Sequence, residues 1–554
     1  MITGTADRVR PEELLRAADR ALERVHTMVE RARDRLARRF APGGDFDVAL
    51  FEREQTAAHG LAWYEVYRRA LEQLQAWARR LADSGRFGER ERLILELGFG
   101  EYLARMAGGV PMSQGEYVRP WQIGLDATDL DTFRSSEVCG FCRLAADPAR
   151  VLRLAQLIEE GEFGDPGYAR EELELVREQF RRFADERILP FAHRWHLEDR
   201  LVPLELIGEL AKLGVFGLTV PERYGGLGMG KEAMCVVTEE LSRGWIGVGS
   251  LSTRSEIAAE LVRLGGTEEQ RQRFLPRIAS GESIPTAVFT EPDTGSDLAS
   301  LRTRAVLRDG FYEVYGSKTW ITHAARADLM TILVRTDTSE PGYRGLSMLI
   351  AEKPRGREDD PFPVAGLSGS EIPVLGYRGM KEYALSFDGF RVPAANLLGG
   401  VPGRGFKQLM ATFESARIQT AARAIGVARS ALELALSYAR ERRQFGKPIF
   451  AFPRVHGKLA GMAVEIMLAR QLTLFAAREK DADRRCDLEA GLAKLLAAQV
   501  AWSAADNAVQ IHGGNGYALE FPISRVLCDA RILNIFEGSA EIQAQVIARR
   551  LFTA

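Results

Sequence analysis

Leu15, Ala18, Leu22, Val25, Val29, Ala32 and Leu36 recur at intervals of three and four. That spacing lays one apolar stripe along a long helix, which the run APGGD stops. A second stripe, Leu61, Tyr64, Tyr67, Leu71 and Leu74, predicts a helix over about 56–82, and a third helix is predicted over about 90–106. A looser stretch, 111–147, follows. Up to residue 160 the pattern therefore predicts an antiparallel helical bundle. It contains no lysine and no grouping of acid, base and nucleophile, so packing or assembly is its expected work. Helical patterning resumes near Arg170 and continues through LVPLELIGELAKLGVFGLTVPERYGGLG to LPRIASGES.

At Pro285 the period changes. TAVFTEP, YEVYGSKTWIT, LMTILVRT, LSMLIAE and YALSFDGFRVP are short, rich in Val, Thr, Tyr and Ile, and bounded by Gly, Pro and Asp. These are strand signals, and strands without intervening helices predict an antiparallel β-domain. Long helical patterns return after Gly405 with short turns between them, predicting a second antiparallel bundle. The expected fold is α+β and mostly α. A helical extension spans 1–160, a helical domain 161–285, a β-domain 286–398 and a C-terminal helical bundle 399–554.

Composition changes this picture little. The chain is 46% hydrophobic and 27% charged with a net charge of −2, which gives no electrostatic case for nucleic acid or an anionic membrane. No apolar run approaches the roughly 20 residues of a membrane span. The N-terminal run MITGTADRVRPEELL has acids and no apolar core, so a cytoplasmic protein is expected. Cys139 and Cys142 form a CxxC in a helical region, without two further ligands nearby and without a preceding strand, so neither zinc nor redox work is expected there. His193 and His196 likewise lack a third ligand, and no metal is expected. A GxSxG elbow and a Walker A loop are both absent, and YGGLGMG lacks the strand-to-helix context of a dinucleotide loop.

Three stretches carry the remaining chemistry. AVFTEPDTGSDLASLRT offers Thr290, Glu291, Gly295, Ser296 and Asp297 at a strand-to-loop transition, where hydroxyls and backbone N–H groups suit a polar ring system or a phosphate. GSKTWITHAA places Trp320 and Thr322 two apart on one strand, where alternation predicts a flat ring and a hydroxyl on the same face. The last, DNAVQIHGGNGYALEFPISRVLCDARILNIFEGSAEIQ, holds a glycine pair that lets backbone approach a ligand closely. For the first two, a plain loop and a packed β-core remain equally open on the residues alone. Glu537 and Glu541 flank Gly538 and Ser539, and acids near a helix N-terminus are ordinary electrostatics.

In this order, and with PERYGGLG, GTEEQRQRFLPRIASGE, LSFDGFRVP and ARERRQFGKPI, the stretches resemble the acyl-CoA dehydrogenase family from about Arg170 to Phe552. The resemblance implies a helical, a β and a helical domain and a non-covalent FAD. It implies that Thr290, Ser296, Trp320 and Thr322 line the flavin and its ribityl chain, and that Ser539 lies near the pyrophosphate. Arg442, Phe445, Gln510, Gly513 and Gly514 match positions that reach the FAD of a neighbouring subunit, so a homo-oligomer, dimer or tetramer, is implied. Glu537 matches the catalytic base. Some members take the base from the earlier bundle helix, where this chain has Ala416, which cannot serve. Arg417 matches a residue that helps to place the CoA, and Phe536 one that lines the acyl cavity. Glu541 keeps the helix-terminus reading, with Ser539 as a cap. The base is expected to be a buried carboxylate whose pKa is raised. Electron-transfer flavoprotein is the implied acceptor.

The extension, with FPVAGLSGSEIPVLGYRGMKEYALSFDGF, resembles one subgroup, which oxidises a branched C4-diacid thioester. Such a substrate requires a cation for its distal carboxylate, and Arg254 in SLSTRSEIAAE matches the pocket-base helix. A surface arginine, or one paired with Glu256, is the competing reading. The residues do not separate a dehydrogenase from an oxidase using O2, from a short-chain enzyme of another specificity, or from a non-catalytic scaffold.

Overall fold

The first apolar stripe forms the helix Pro11–Phe40, and all seven of its residues are buried. Proline in the first turn, Glu12 and Glu13 beside it, and Arg38 and Arg39 in the last turn match the helix's missing donors and its dipole. The second and third helices are Gln55–Asp83, which buries Leu61, Tyr64, Tyr67, Leu71 and Leu74, and Glu89–Gly108. This computed structural model describes residues 10–161 and 163–553. The first nine residues, on which much of the reading of the N-terminus rests, lie outside them.

The looser stretch is more ordered than its pattern suggests. It holds the helices Ala127–Phe133 and Ser136–Ala145 and a two-residue ladder pairing Val110–Pro111 with Tyr117–Val118. Both helices are set by their caps: the Asp126 carboxylate accepts the Asp129 N–H, and the Ser135 hydroxyl accepts the Val138 N–H. Helices this short complete too few turns for a periodic stripe to stand out. Cys139 and Cys142 lie on the second of them, half-buried and unbonded to each other.

The chain divides into two compact units. The first takes residues up to Glu171 together with Val427–Glu479 and Cys486–Ala554, so the extension and the C-terminal helices form one body. Arg105 and the Tyr102 hydroxyl both donate to Glu465, each at 2.7 Å, and His59 is hydrogen-bonded to Gln545 at 2.8 Å. The rings of Phe40, Phe46 and Phe51 surround that of Phe552, with centroids 5.3–6.2 Å away. Helix Pro453–Asp481, which belongs to this unit up to Glu479, is long and apolar enough by length and composition to cross a membrane, a run that inspection of the sequence passed over. Its apolar window is 83% buried, as in a core helix surrounded by neighbours.

The second unit takes Glu172–Gly426 and Lys480–Arg485. Its helix Ile246–Gly265 is buried on every side from Ile246 to Val262. Its sheet has seven strands, in the order Pro285–Val288, Leu329–Arg335, Arg304–Arg308, Phe311–Thr322, Glu382–Pro393 and Leu367–Ile372, with Leu346–Glu352 also pairing with Leu329–Arg335. Most pairs are antiparallel as expected, but Pro285–Val288 and Arg304 run parallel to Leu329–Arg335. Parallel partners need a crossover, and the intervening loop and hairpin supply it. One face packs Val314, Ile332, Leu349 and Leu385 into a core.

Candidate functional site

In the second unit the strand Phe311–Thr322 is irregular. Its register with Glu382–Pro393 shifts between Lys318 and Ile321, and Trp320 takes φ 57°. A left-handed tryptophan within a strand is costly and marks a deliberate bulge. The expected alternation therefore fails. Trp320 is turned out, 56% exposed, while Ile321 and Thr322 are both buried. Beneath the bulge, Lys318 is fully buried and donates to the Phe289 carbonyl at 2.7 Å and to Glu291 at 3.1 Å. Burial lowers the Lys318 pKa to about 8, against the pull of Glu291. Glu291 also accepts the N–H groups of Arg302 and Thr303 at 2.7 and 2.8 Å. Desolvation opposes ionisation of Glu291, but Lys318 and these donors outweigh it and hold the carboxylate below its usual range. This network ties down both ends of the loop that carries Thr290, half-buried, and Ser296, exposed.

Thr322 donates its hydroxyl hydrogen to Glu382 at 2.8 Å. Arg254, on the buried helix, is 8% exposed, which overturns the reading of a surface arginine. Glu256, the other competing partner, is held by Lys231 and by the Thr219 hydroxyl. The charge of Arg254 also acts on Glu382, lowering the carboxyl's pKa against the effect of burial. Ala416 is buried on helix Gly405–Glu441, and the half-buried Arg417 beside it sits 5.8 Å from the centre of the Phe413 ring.

In the first unit Glu537 is half-buried rather than buried, with φ 53°, and Gly538 follows at φ 89°. A side chain at Gly538 would collide with Gln543. The Glu537 carbonyl accepts from Gln543 Nε2 at 3.1 Å, and the Gly538 carbonyl from Lys494 Nζ at 2.6 Å. Ser539 then caps helix Ala540–Thr553 by accepting the Ile542 N–H, which places Glu541 in the first turn as expected. Phe536 is half-buried beside them. Lys494, Gln543, Lys318 and Glu382 escaped the sequence reading. Each is a buried polar residue inside an apolar pattern, and that was the one available signal.

Arg442 directly follows helix Gly405–Glu441 and is exposed. The two-residue ladder after it turns at Phe445 and Gly446, both with positive φ, which is the geometry of a type I′ hairpin. The turn leaves Phe445 92% exposed. Gln510, Gly513 and Gly514, at the end of helix Asp487–His512, are exposed, and the space a Cβ would enter at either glycine is open. A cavity of about 750 Å³ within this unit is lined by Ser539 and Glu541, and also by Ser113 and Tyr117 of the extension. In the second unit an outward indole and loop hydroxyls suit a flat ring with polar edges; in the first, open glycine backbone and a serine on a roomy cavity suit the close approach of a pyrophosphate. Among the described residues no cluster of metal-ligating side chains occurs.

Three family models match the chain: the acyl-CoA dehydrogenase N-terminal domain over residues 170–282, the middle domain over 286–390 and the C-terminal domain over 403–552. The (2S)-methylsuccinyl-CoA dehydrogenase of Cereibacter sphaeroides is 60% identical over 543 residues, covering 97% of this chain and 98% of that protein. Butyryl-CoA dehydrogenase from Megasphaera elsdenii superposes with a TM-score of 0.65 at 32% identity, over 69% of this chain and 99% of that one. A glutaryl-CoA dehydrogenase from Mycobacterium smegmatis, solved in complex with FADH2, gives 0.63 at 28% identity, over 70% and 95%.

Proposed function

The chain belongs to the acyl-CoA dehydrogenase family, and from that premise we propose that it oxidises (2S)-methylsuccinyl-CoA to mesaconyl-CoA with FAD as cofactor. The supporting observation is that the likeness to the Cereibacter sphaeroides enzyme runs through the extension, outside the three family segments.

The α-proton of a thioester is weakly acidic, so its removal needs a positioned base and a stabilised enolate. Glu537 is the base. Its left-handed backbone, held through two carbonyls, fixes the carboxylate's point of departure, and its own N–H is a donor to the developing oxyanion. Bound FAD would supply the acceptor for the β-hydride, which no side chain can provide. Thr290, Ser296, Trp320 and Thr322 hold the flavin end, and Ser539 the pyrophosphate. Arg442, Phe445, Gln510, Gly513 and Gly514 serve the cofactor of a neighbouring subunit in a homo-oligomer. Arg417 places the CoA and Phe536 lines the acyl cavity. Arg254 takes the distal carboxylate, because a buried guanidinium suits a carboxylate better than any neutral group. Electrons leave to electron-transfer flavoprotein, and the enzyme works in the cytoplasm.

The test is anaerobic bleaching of the flavin by an acyl-CoA panel containing both methylsuccinyl-CoA stereoisomers and butyryl-CoA. Fastest bleaching by the (2S) isomer supports the reading; faster bleaching by butyryl-CoA overturns it.

A further inference from the structure

Lys318 holds the last place on the strand Phe311–Thr322 before its register with Glu382–Pro393 slips. Lys318 faces Leu385 and Ile321 faces Tyr383, so three steps on one strand meet two on the other. Thr319 and Trp320 take up the difference. The Thr319 N–H donates to the Thr290 carbonyl at 3.0 Å. With Lys318 Nζ on the Phe289 carbonyl at 2.7 Å and on the Glu291 carboxylate at 3.1 Å, two residues of the strand grip three successive residues of the loop. Glu291 closes a tight turn with Thr294, N–H to carbonyl in both directions, at 3.0 and 3.1 Å. Its carboxylate reaches across the loop to the Arg302 and Thr303 N–H groups. The Thr303 hydroxyl returns to the strand and donates to the Ser317 carbonyl at 3.2 Å. The loop from Phe289 to Thr303 is therefore fastened at both ends to the three residues that precede Trp320.

Stability alone does not account for this arrangement. Both side chains are buried, and at pH 7 both are ionised, since Lys318 titrates at about 8 and Glu291 below its usual range. A buried ion pair adds little over apolar residues of the same size. A left-handed tryptophan is itself costly and persists only where its surroundings fix it. What the pair supplies is place: one charge under the bulge and the other at the root of the loop, at a set distance. We propose that Lys318 and Glu291 are positioning residues of the flavin site, holding the outward indole of Trp320 and the loop of Thr290 and Ser296 in their receiving arrangement before the cofactor is present. The inference rests on Trp320, Thr290 and Ser296 lining the flavin.

Lys318→Met together with Glu291→Gln removes both charges and strands neither, which makes it the variant to test. Tm of the cofactor-free double variant should stay within a few degrees of the unsubstituted chain. Its FAD affinity, by fluorescence titration well below Tm, should fall about tenfold or more, because the site must now be ordered by the ligand. At saturating FAD the visible circular dichroism of the flavin should also change, while the far-ultraviolet spectrum does not. Unchanged affinity, or an unchanged flavin band, overturns the proposal. So does a double variant that does not fold, which makes the pair a prop of the whole β-domain. Trp320→Ala separates the two levels. If it leaves FAD affinity unaltered, Trp320 does not line the flavin and the underlying reading fails. If it weakens FAD binding and the double variant does not, the positioning inference alone fails. In the Trp320→Ala background the double change should cost less affinity than in the unsubstituted chain, since part of its effect runs through the indole. Fully additive losses overturn it.

Discussion

Lys494, fully buried on helix Asp487–His512, gives its ammonium to the Gly538 carbonyl at 2.6 Å. With Gln543 on the preceding carbonyl, it pins the two left-handed residues Glu537 and Gly538 from the backbone side. Lys494→Met keeps the apolar stem and drops the ammonium. It should slow flavin reduction by about 10- to 100-fold while the protein retains its FAD, because a loosened base loses its approach geometry. Stopped-flow reduction and the flavin-to-protein absorbance ratio measure the two effects. Unchanged reduction would mean that the pinning does not matter to the reaction.

Glu537→Gln removes the proposed base and keeps the shape. The variant should bind FAD and acyl-CoA, and flavin bleaching should fall by about 100-fold or more. Near-normal bleaching would show that the base lies elsewhere.

Glu382 gives a pH signature to stability. Burial raises its folded pKa to about 7, above the 4.5 of the unfolded chain. Below 4.5 both states hold the proton and nothing is lost. As pH rises the unfolded chain ionises first, so the native state loses relative stability until about pH 7, with a total cost of at most about 3 kcal/mol. Glu382→Gln escapes this. Its Tm relative to the unsubstituted protein should therefore be higher at pH 8 than at pH 5, by differential scanning calorimetry. A gap that narrows toward pH 8 contradicts the assignment.

Phe445 is nearly bare at the tip of its hairpin turn. Phe445→Ala should move Tm of the cofactor-free chain very little, since an exposed surface change is worth about 0.5 kcal/mol or less. If Phe445 serves a neighbouring subunit's cofactor, the same change should weaken FAD binding by about tenfold, the worth of one well-packed aromatic contact. Unaltered FAD affinity in fluorescence titrations removes Phe445 from the cofactor site.

The main elements were legible because long stripes carry their own period. The helix Pro11–Phe40 buries every residue its stripe named, and the strands after Pro285 appear where the alternation begins. The local exceptions were not legible. The bulge at Trp320 depends on a register shift against a strand some sixty positions later, and alternation within one strand cannot reveal it. For Arg254 a pocket cation and a surface arginine stay equally open in the sequence, and only the burial of its helix on all sides removes the second. Lys494 lies in the run LAKLLAAQVA, where a lone lysine looks like an outward-facing position; only the folded chain brings the Gly538 carbonyl to it.

The joining of the extension to the C-terminal helices sets an order of events during synthesis. The second unit is almost continuous in sequence, so it can fold while the chain is still being made. The extension leaves the ribosome first but must wait for its partners until all of Glu172–Gly426 has followed. During that interval the faces that Glu465 and Phe552 later cover, around Arg105, Tyr102, Phe40 and Phe51, are open to water. Chaperone dependence and misfolding on the way to the native state should therefore concentrate in the part of the chain that is made earliest.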